Sequence, residues 1–477
     1  MYPKDVDGLR STKITGGVYM LDLIIKNGSI VNEDATINGD IAIKDGKIIA
    51  IGDSSYFADS IKTIDASGKL VVPGLVDSHV HINMEMGEFK TTDTMENATV
   101  ASAFGGTTSI IMFAIPVGDE RPLTAMENTR NLAKDHCAVN YSFHAAITRA
   151  NEQSIHDISD MLSDGIPSVK MFSIYKSSVM LPSIGIHRVL NEVQKHNGIA
   201  LIHSESAPYI DALIDEKISH GKTTPYDHMM SRPPLSEAME VSNLLPMIEL
   251  SGATTLFVHM TTSMVRNSIE YAKNRGLPVF TELCPHYLTL TDEAYSRENG
   301  QDFVCSPPLR SKEDVRKMWG MINDGLADIV SSDHSAYTKE QKLVYKDFFP
   351  KMPNGLPGIE TRGPVMFSEG VSKGRISANE FVRLCSSKSA KLMGIYPNKG
   401  IIAPGADADI VLINPSVEYV MTTSELHMMT DYTPFEGMKM KGKFTDVIVG
   451  GKSVIENGVY SGMIAGKEII RHAPILD

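Results

Sequence analysis

The chain has 477 residues, 42% of them apolar and 22% charged, with a formal net charge of -13. That length and balance suit a soluble globular protein of more than one domain and speak against a disordered or membrane-embedded chain. The negative charge argues against nucleic acid and anionic membrane surfaces as partners, because both need a basic patch, and favours a small-molecule substrate.

Taken in order, residues 1–19 are polar and glycine-containing and read as an N-terminal extension. Short alternating strands are expected within 20–72, over 23–26, 29–31, 40–44 and 47–52, with hairpin turns at Asn27-Gly28 and Asp45-Gly46. Residues 399–460 show the same pattern, with turns at Gly450-Gly451 and Asn457-Gly458. The two ends are therefore expected to form one β-sandwich, leaving 461–477 as a tail. Cys137, Cys284, Cys305 and Cys385 stand far apart without a Cys-X-X-Cys pair, so free thiols in a cytoplasmic protein are expected.

Between the ends, residues 73–398 alternate strands with helical stretches, the mark of a parallel sheet covered by helices. Eight strands are expected, at 70–76, 107–113, 140–146, 168–172, 199–203, 255–259, 279–283 and 329–332, and amphipathic helices at 184–195, 236–250, 263–275 and 312–324. Eight such units predict a (β/α)₈ TIM barrel, whose active site lies at the C-terminal ends of the strands.

Chemically apt residues occur there. Strand one ends in His79-Val-His81, and residues two apart on a strand share a face, so both imidazoles can reach one metal ion. Strand four supplies Lys170, strand five His203, strand six His259 and strand eight Asp333. Each has a bland reading alone, a core histidine or a structural ion pair, but six metal-competent residues on five strands point to a metal centre.

These residues, with Phe104-Gly-Gly-Thr-Thr, Val169-Lys-Met-Phe-Ser-Ile-Tyr175, Cys284-Pro-His-Tyr, Ser306-Pro-Pro-Leu-Arg310, Ser332-Asp-His334, Asn354-Gly-Leu-Pro-Gly358 and Pro404-Gly-Ala-Asp-Ala-Asp409, resemble the dihydropyrimidinase/hydantoinase branch of the cyclic amidohydrolases. The resemblance spans nearly the whole chain from Met20 to Gly458. It implies hydrolysis of the cyclic amide bond of dihydropyrimidines or 5-substituted hydantoins to N-carbamoyl amino acids. It also implies two divalent ions, zinc in the family, bridged by Lys170 as a carbamate (N6-carboxylysine). His79, His81 and Asp333 complete one metal site, and His203 and His259 the other. A hydroxide bridging the metals attacks the ring carbonyl, Asp333 acts as general base and acid, and Tyr175 donates to the oxyanion. Ser306 and Asn354 hold the ring amide. Assembly as a homotetramer or homodimer is implied as well.

Within that branch the signals divide. His79-Val-His81-Ile-Asn83 resembles allantoinase, whereas the segment ending at Tyr175 resembles dihydropyrimidinase or hydantoinase. Asn83 stands where dihydroorotase carries an arginine. A catalytically dead scaffold related to dihydropyrimidinase is the non-enzyme alternative, since fold alone does not prove catalysis. His334 is expected to point away from the site, and His286 matches no ligand position. Met84, Met86, Val179 and Met180 are candidates for an apolar pocket wall.

Overall fold

A computed structural model describes residues 20–476; the expected extension at 1–19 lies outside the described residues. The buried apolar runs form eight parallel strands: β1 (Leu75–Val80), β2 (Thr107–Ala114), β3 (Asn140–Ala146), β4 (Ser168–Phe172), β5 (Ile199–His203), β6 (Thr254–Phe257), β7 (Val279–Leu283) and β8 (Ile329–Val330). Each pairs with the next in chain order. Backbone contacts close the seam between β8 and β1, where His81 N donates to His334 O at 2.8 Å and Val80 bridges His334. The fold is thus a (β/α)₈ barrel. Helices cover the strands because their apolar residues recur on one face. In Lys312–Asn323, Ser311 caps the N-terminus by accepting from Asp314 N, and Met318, Trp319 and Ile322 turn inward.

Both ends of the chain build a second, nine-stranded sheet. They join at the strand Leu70–Pro73, which runs parallel to Leu21–Val31 and antiparallel to Ile410–Val420. The sheet folds over its own core, in which Leu23, Ile25, Ile41 and Ile43 meet Ile410, Leu412 and Ile448. The result is a small β-sandwich. Beside it the last described residues cross the floor of the barrel, with Asn140 hydrogen-bonded both to Asp409 of the sandwich and to Lys467 of that segment. Ile469 N donates to Tyr141 O, and the buried Arg471 donates to Ser142 Oγ and Ser168 Oγ.

Three expectations are corrected. Asn27-Gly28 is not a hairpin turn but a bulge inside the strand Leu21–Val31, with Asn27 at φ 63. The apolar alternation continues through it, and Gly28 lies so close to Val71 that a Cβ would meet its methyl at 2.4 Å. The run 70–76 is two strands, one for each sheet, broken at Gly74, where a Cβ would collide with Thr108. Strands six and eight are shorter than expected and end at Phe257 and Val330. His259 and Asp333 therefore sit on the loops beyond them, each in left-handed backbone (φ 43 and 49).

Candidate active site

At the C-terminal ends of the strands opens a cavity of ≈ 1150 Å³. His79, His81, Lys170, Tyr175, His203, His259, Ser306, Asp333 and Asn354 all line it. These nine come from seven separate stretches of the sequence, and the barrel brings every one to the same mouth.

His79, His81 and Asp333 form a tight group, with one ligand atom of each within 4.8 Å of the others. His79 Nδ1 lies 2.7 Å from Glu282 Oε1, which fixes the ring so that Nε2 points at Asp333 Oδ1, 3.0 Å away. A lone pair facing a carboxylate oxygen at that distance calls for a cation between them. Without a metal, a proton meets that demand: burial pulls the imidazole down, but Glu282 and Asp333 outweigh it and raise His79 to about 9. His81 lacks such a carboxylate on its far side, and burial lowers it to about 4. Burial pushes Asp333 up, yet His79, with help from His81 and His259, holds it well below the usual carboxylate range.

A second imidazole pair adjoins the first. His203 Nε2 is 2.7 Å from Glu205 Oε2, so Nδ1 carries the lone pair, and it faces His259 Nε2 at 3.1 Å. The rings of His79 and His259 lie 5.4 Å apart, which makes the two groups neighbours. Burial lowers both His203 and His259 and keeps them neutral, the form in which imidazole binds a metal. Glu205 is also gripped by Arg232 Nη1 at 2.7 Å. Burial raises this carboxyl, but Arg232 and His203 bring it down to about 2.

Lys170 lies between the two groups in the middle of β4, with its Nζ over the rings of Phe113 and Phe172. Burial is the main influence on it and lowers the ammonium to about 8, although Asp333 and Glu282 act against the shift. The donor set therefore fits divalent cations, with imidazole lone pairs facing inward on carboxylate-fixed rings and a lysine that readily becomes neutral.

The remaining wall is set for a polar ring. Ser306 and Asn354 line the cavity, and their side-chain oxygens Oγ and Oδ1 are buried with no hydrogen-bond partner. Tyr175 faces them from a left-handed residue (φ 69), with Arg232 above its ring, and burial raises its phenol. Met84, Met86 and Val179 line the entrance, whereas Met180 packs against Ile174, Ala207 and Ile210. His334 points away, its Nε2 3.0 Å from Asp93, and His286 is buried against Tyr287.

Sequence reasoning missed the carboxylates behind the histidines. Glu282 stands in the fully buried strand β7, beside Thr281 and among Val279, Phe280 and Leu283. Glu205 lies two residues after His203. Arg232 gave no comparable signal.

Comparison with known proteins agrees with this geometry. The model of the amidohydrolase family matches residues 70–454. A D-hydantoinase of Geobacillus stearothermophilus is 36% identical over 454 residues, 94% of this chain and 96% of that protein. A D-phenylhydantoinase of Escherichia coli is 33% identical over 458 residues, 95% and 99% of the two chains. The crystal structure of a dihydropyrimidinase from Brevibacillus agri superposes with a TM-score of 0.92 at 34% identity, covering 94% of this chain and 99% of that one.

Proposed function

The chain belongs to the amidohydrolase family, and from that premise we propose that it opens the ring amide of 5-substituted hydantoins or dihydropyrimidines by hydrolysis, releasing N-carbamoyl amino acids. It is a cyclic amidohydrolase of the hydantoinase/dihydropyrimidinase type. The observation that carries the reading is the pair of imidazole groups whose lone pairs converge beside Lys170, under a wall of unpaired polar atoms.

His79, His81 and Asp333 would hold one divalent ion, His203 and His259 a second, and Lys170 both. Zinc is the ion proposed, because imidazole and carboxylate donors suit it. Lys170 takes part as a carbamate: its neutral amine adds to the carbon of carbon dioxide and loses a proton, turning a cation into an anionic ligand. The ions would supply a water ionised near neutral pH and a Lewis acid for the scissile carbonyl.

The protein's own groups do the rest. Asp333 is ionised at neutral pH and can take the proton of the attacking water and return it to the departing ring nitrogen. Tyr175 keeps its phenolic proton, since burial raises it, and can donate a hydrogen bond to the oxygen that becomes negative in the transition state. Ser306 and Asn354 hold the ring's amide edge. The cavity's low-dielectric walls strengthen each of these interactions. Assembly as a homodimer or homotetramer and residence in the cytoplasm complete the proposal.

The test is a turnover panel of dihydrouracil, 5-substituted hydantoins, cyclic imides and allantoin on protein of known metal content. Dihydrouracil and hydantoins carrying an alkyl or aryl group at C5 should open faster than allantoin. Faster opening of allantoin would move the assignment to allantoinase, and a metal-free, inactive protein would move it to the scaffold class.

A further inference from the structure

One buried charge in the molecule takes no part in the chemistry described so far. Lys342 belongs to the short helix Lys339–Val344, whose start is fixed by a capping box between Thr338 and Gln341. Its side chain is fully buried and does not reach the cavity. Among the described residues no carboxylate forms an ion pair with it. Instead Nζ donates to three backbone carbonyls, Val304 O, Pro353 O and Gly355 O, each at 2.8 Å, and sits 5.7 Å from the centre of the Tyr337 ring. Three acceptors around one nitrogen match the three N–H donors of an ammonium, and they hold it against a burial that lowers this lysine to about 7.

Those carbonyls belong to two segments that meet only here. The first runs into Ser306 and the second contains Asn354, two residues that line the cavity. The segments are tied to each other by Gly355 N, which donates to Val304 O at 3.0 Å, and the first is held from the far side by His228 Nε2, 2.9 Å from Cys305 O. Gly355 itself (φ 147) lies so close to Ser335 that a Cβ would meet its side chain and carbonyl at 2.6 Å. The second segment is thus pressed against the β8 loop that carries Asp333, and it has no room to shift outward.

We infer that Lys342 is a positioning residue for substrate recognition: its ammonium staples residues 304–306 to 353–355 and so sets the spacing of the two walls that grip the ring's amide edge. The inference rests on the proposed function and adds to it the element that sets that grip. Rigid placement of binding groups matters because a wall that must be ordered as the substrate binds costs affinity. The staple acts on the walls and not on the metal ligands, so its loss should be felt in substrate binding.

The experiment compares wild type, Lys342→Met and Lys342→Gln as full-length, metal-loaded proteins, with hydantoin and dihydrouracil as probes. Metal content and thermal unfolding are recorded alongside kcat and KM. The methionine variant keeps the apolar stem, one atom shorter, and loses all three donors; KM should rise about tenfold or more while kcat and bound metal stay within about threefold of wild type. Glutamine keeps two donors and should restore part of the loss. Three results would overturn the inference: unchanged KM in a folded variant, a fall confined to kcat, or failure of both variants to fold, which would make Lys342 a folding determinant. Wild-type protein that opens neither ring refutes the proposed function instead, so the two failures are told apart by which protein fails.

Discussion

Glu282→Gln tests whether the imidazoles are ordered for metal by the carboxylates behind them. Glu282 Oε1 accepts from His79 Nδ1 at 2.7 Å and from His259 N at 3.0 Å, so one carboxylate orients a residue from each imidazole group. Glutamine can place its carbonyl oxygen in the same position and keep both donors paired, but the negative charge goes. A hydrogen bond to a charged acceptor is worth roughly 1 kcal/mol more than a neutral one, so two of them amount to about 2 kcal/mol. The amide nitrogen would also lie where Glu282 Oε2 has no partner, which adds a buried unpaired donor. Metal affinity should therefore fall by about 30-fold, inside the roughly 10–100-fold range typical of such partners. The assay is competition for zinc against a chromophoric chelator, with thermal unfolding of the metal-free forms as a control. An affinity within about twofold of wild type would refute the reasoning.

Other outcomes follow from the same geometry. Lys170→Ala should purify with little metal and no turnover, with partial recovery in short-chain carboxylate, and Lys170→Arg should not recover because guanidinium cannot carry a carbamate; wild-type metal content in the arginine variant, by elemental analysis, would refute the bridging role. Asp333→Asn should fold normally and lose at least ~100-fold in kcat, since an amide cannot accept a proton at neutral pH; near-normal steady-state turnover would place proton transfer elsewhere. Tyr175→Phe should lose roughly 3 to 4 kcal/mol of transition-state stabilisation, read mainly in kcat with KM and bound metal little changed. An unimpaired phenylalanine variant would remove the tyrosine from the oxyanion site.

The barrel and its mouth were legible because both rest on local rules. Period and length mark the parallel strands, and a residue at a strand's end has its location fixed by the fold. His79, His81 and His203 could be placed this way, whereas Lys170 stands in the middle of β4. The supporting shell was harder, because Arg232 and Glu205 act through one another across two segments, and no spacing in the chain encodes that contact. Glu282 was legible in principle, since a carboxylate in a buried apolar strand needs a partner. Asn27-Gly28 misled because a dipeptide that favours a two-residue turn equally supplies the left-handed residue of a bulge, and only the partner strand decides between them.

The join between the two chain ends also governs when this protein can fold. Leu70 pairs with Ile413, so the sandwich strands made first on the ribosome wait for partners synthesised near the end. At about 5–20 residues per second that interval is on the order of tens of seconds. Until then the strand Leu70–Pro73 presents an unpaired edge of buried-type residues, Val71 and Val72 among them, and such edges template association with other chains. The emerging barrel cannot shield that edge, because the strands that cover it come from beyond residue 409. The molecule therefore passes through synthesis with one sheet half-built, and its yield in a cell depends on how well that edge is kept apart until the last four of its nine strands arrive.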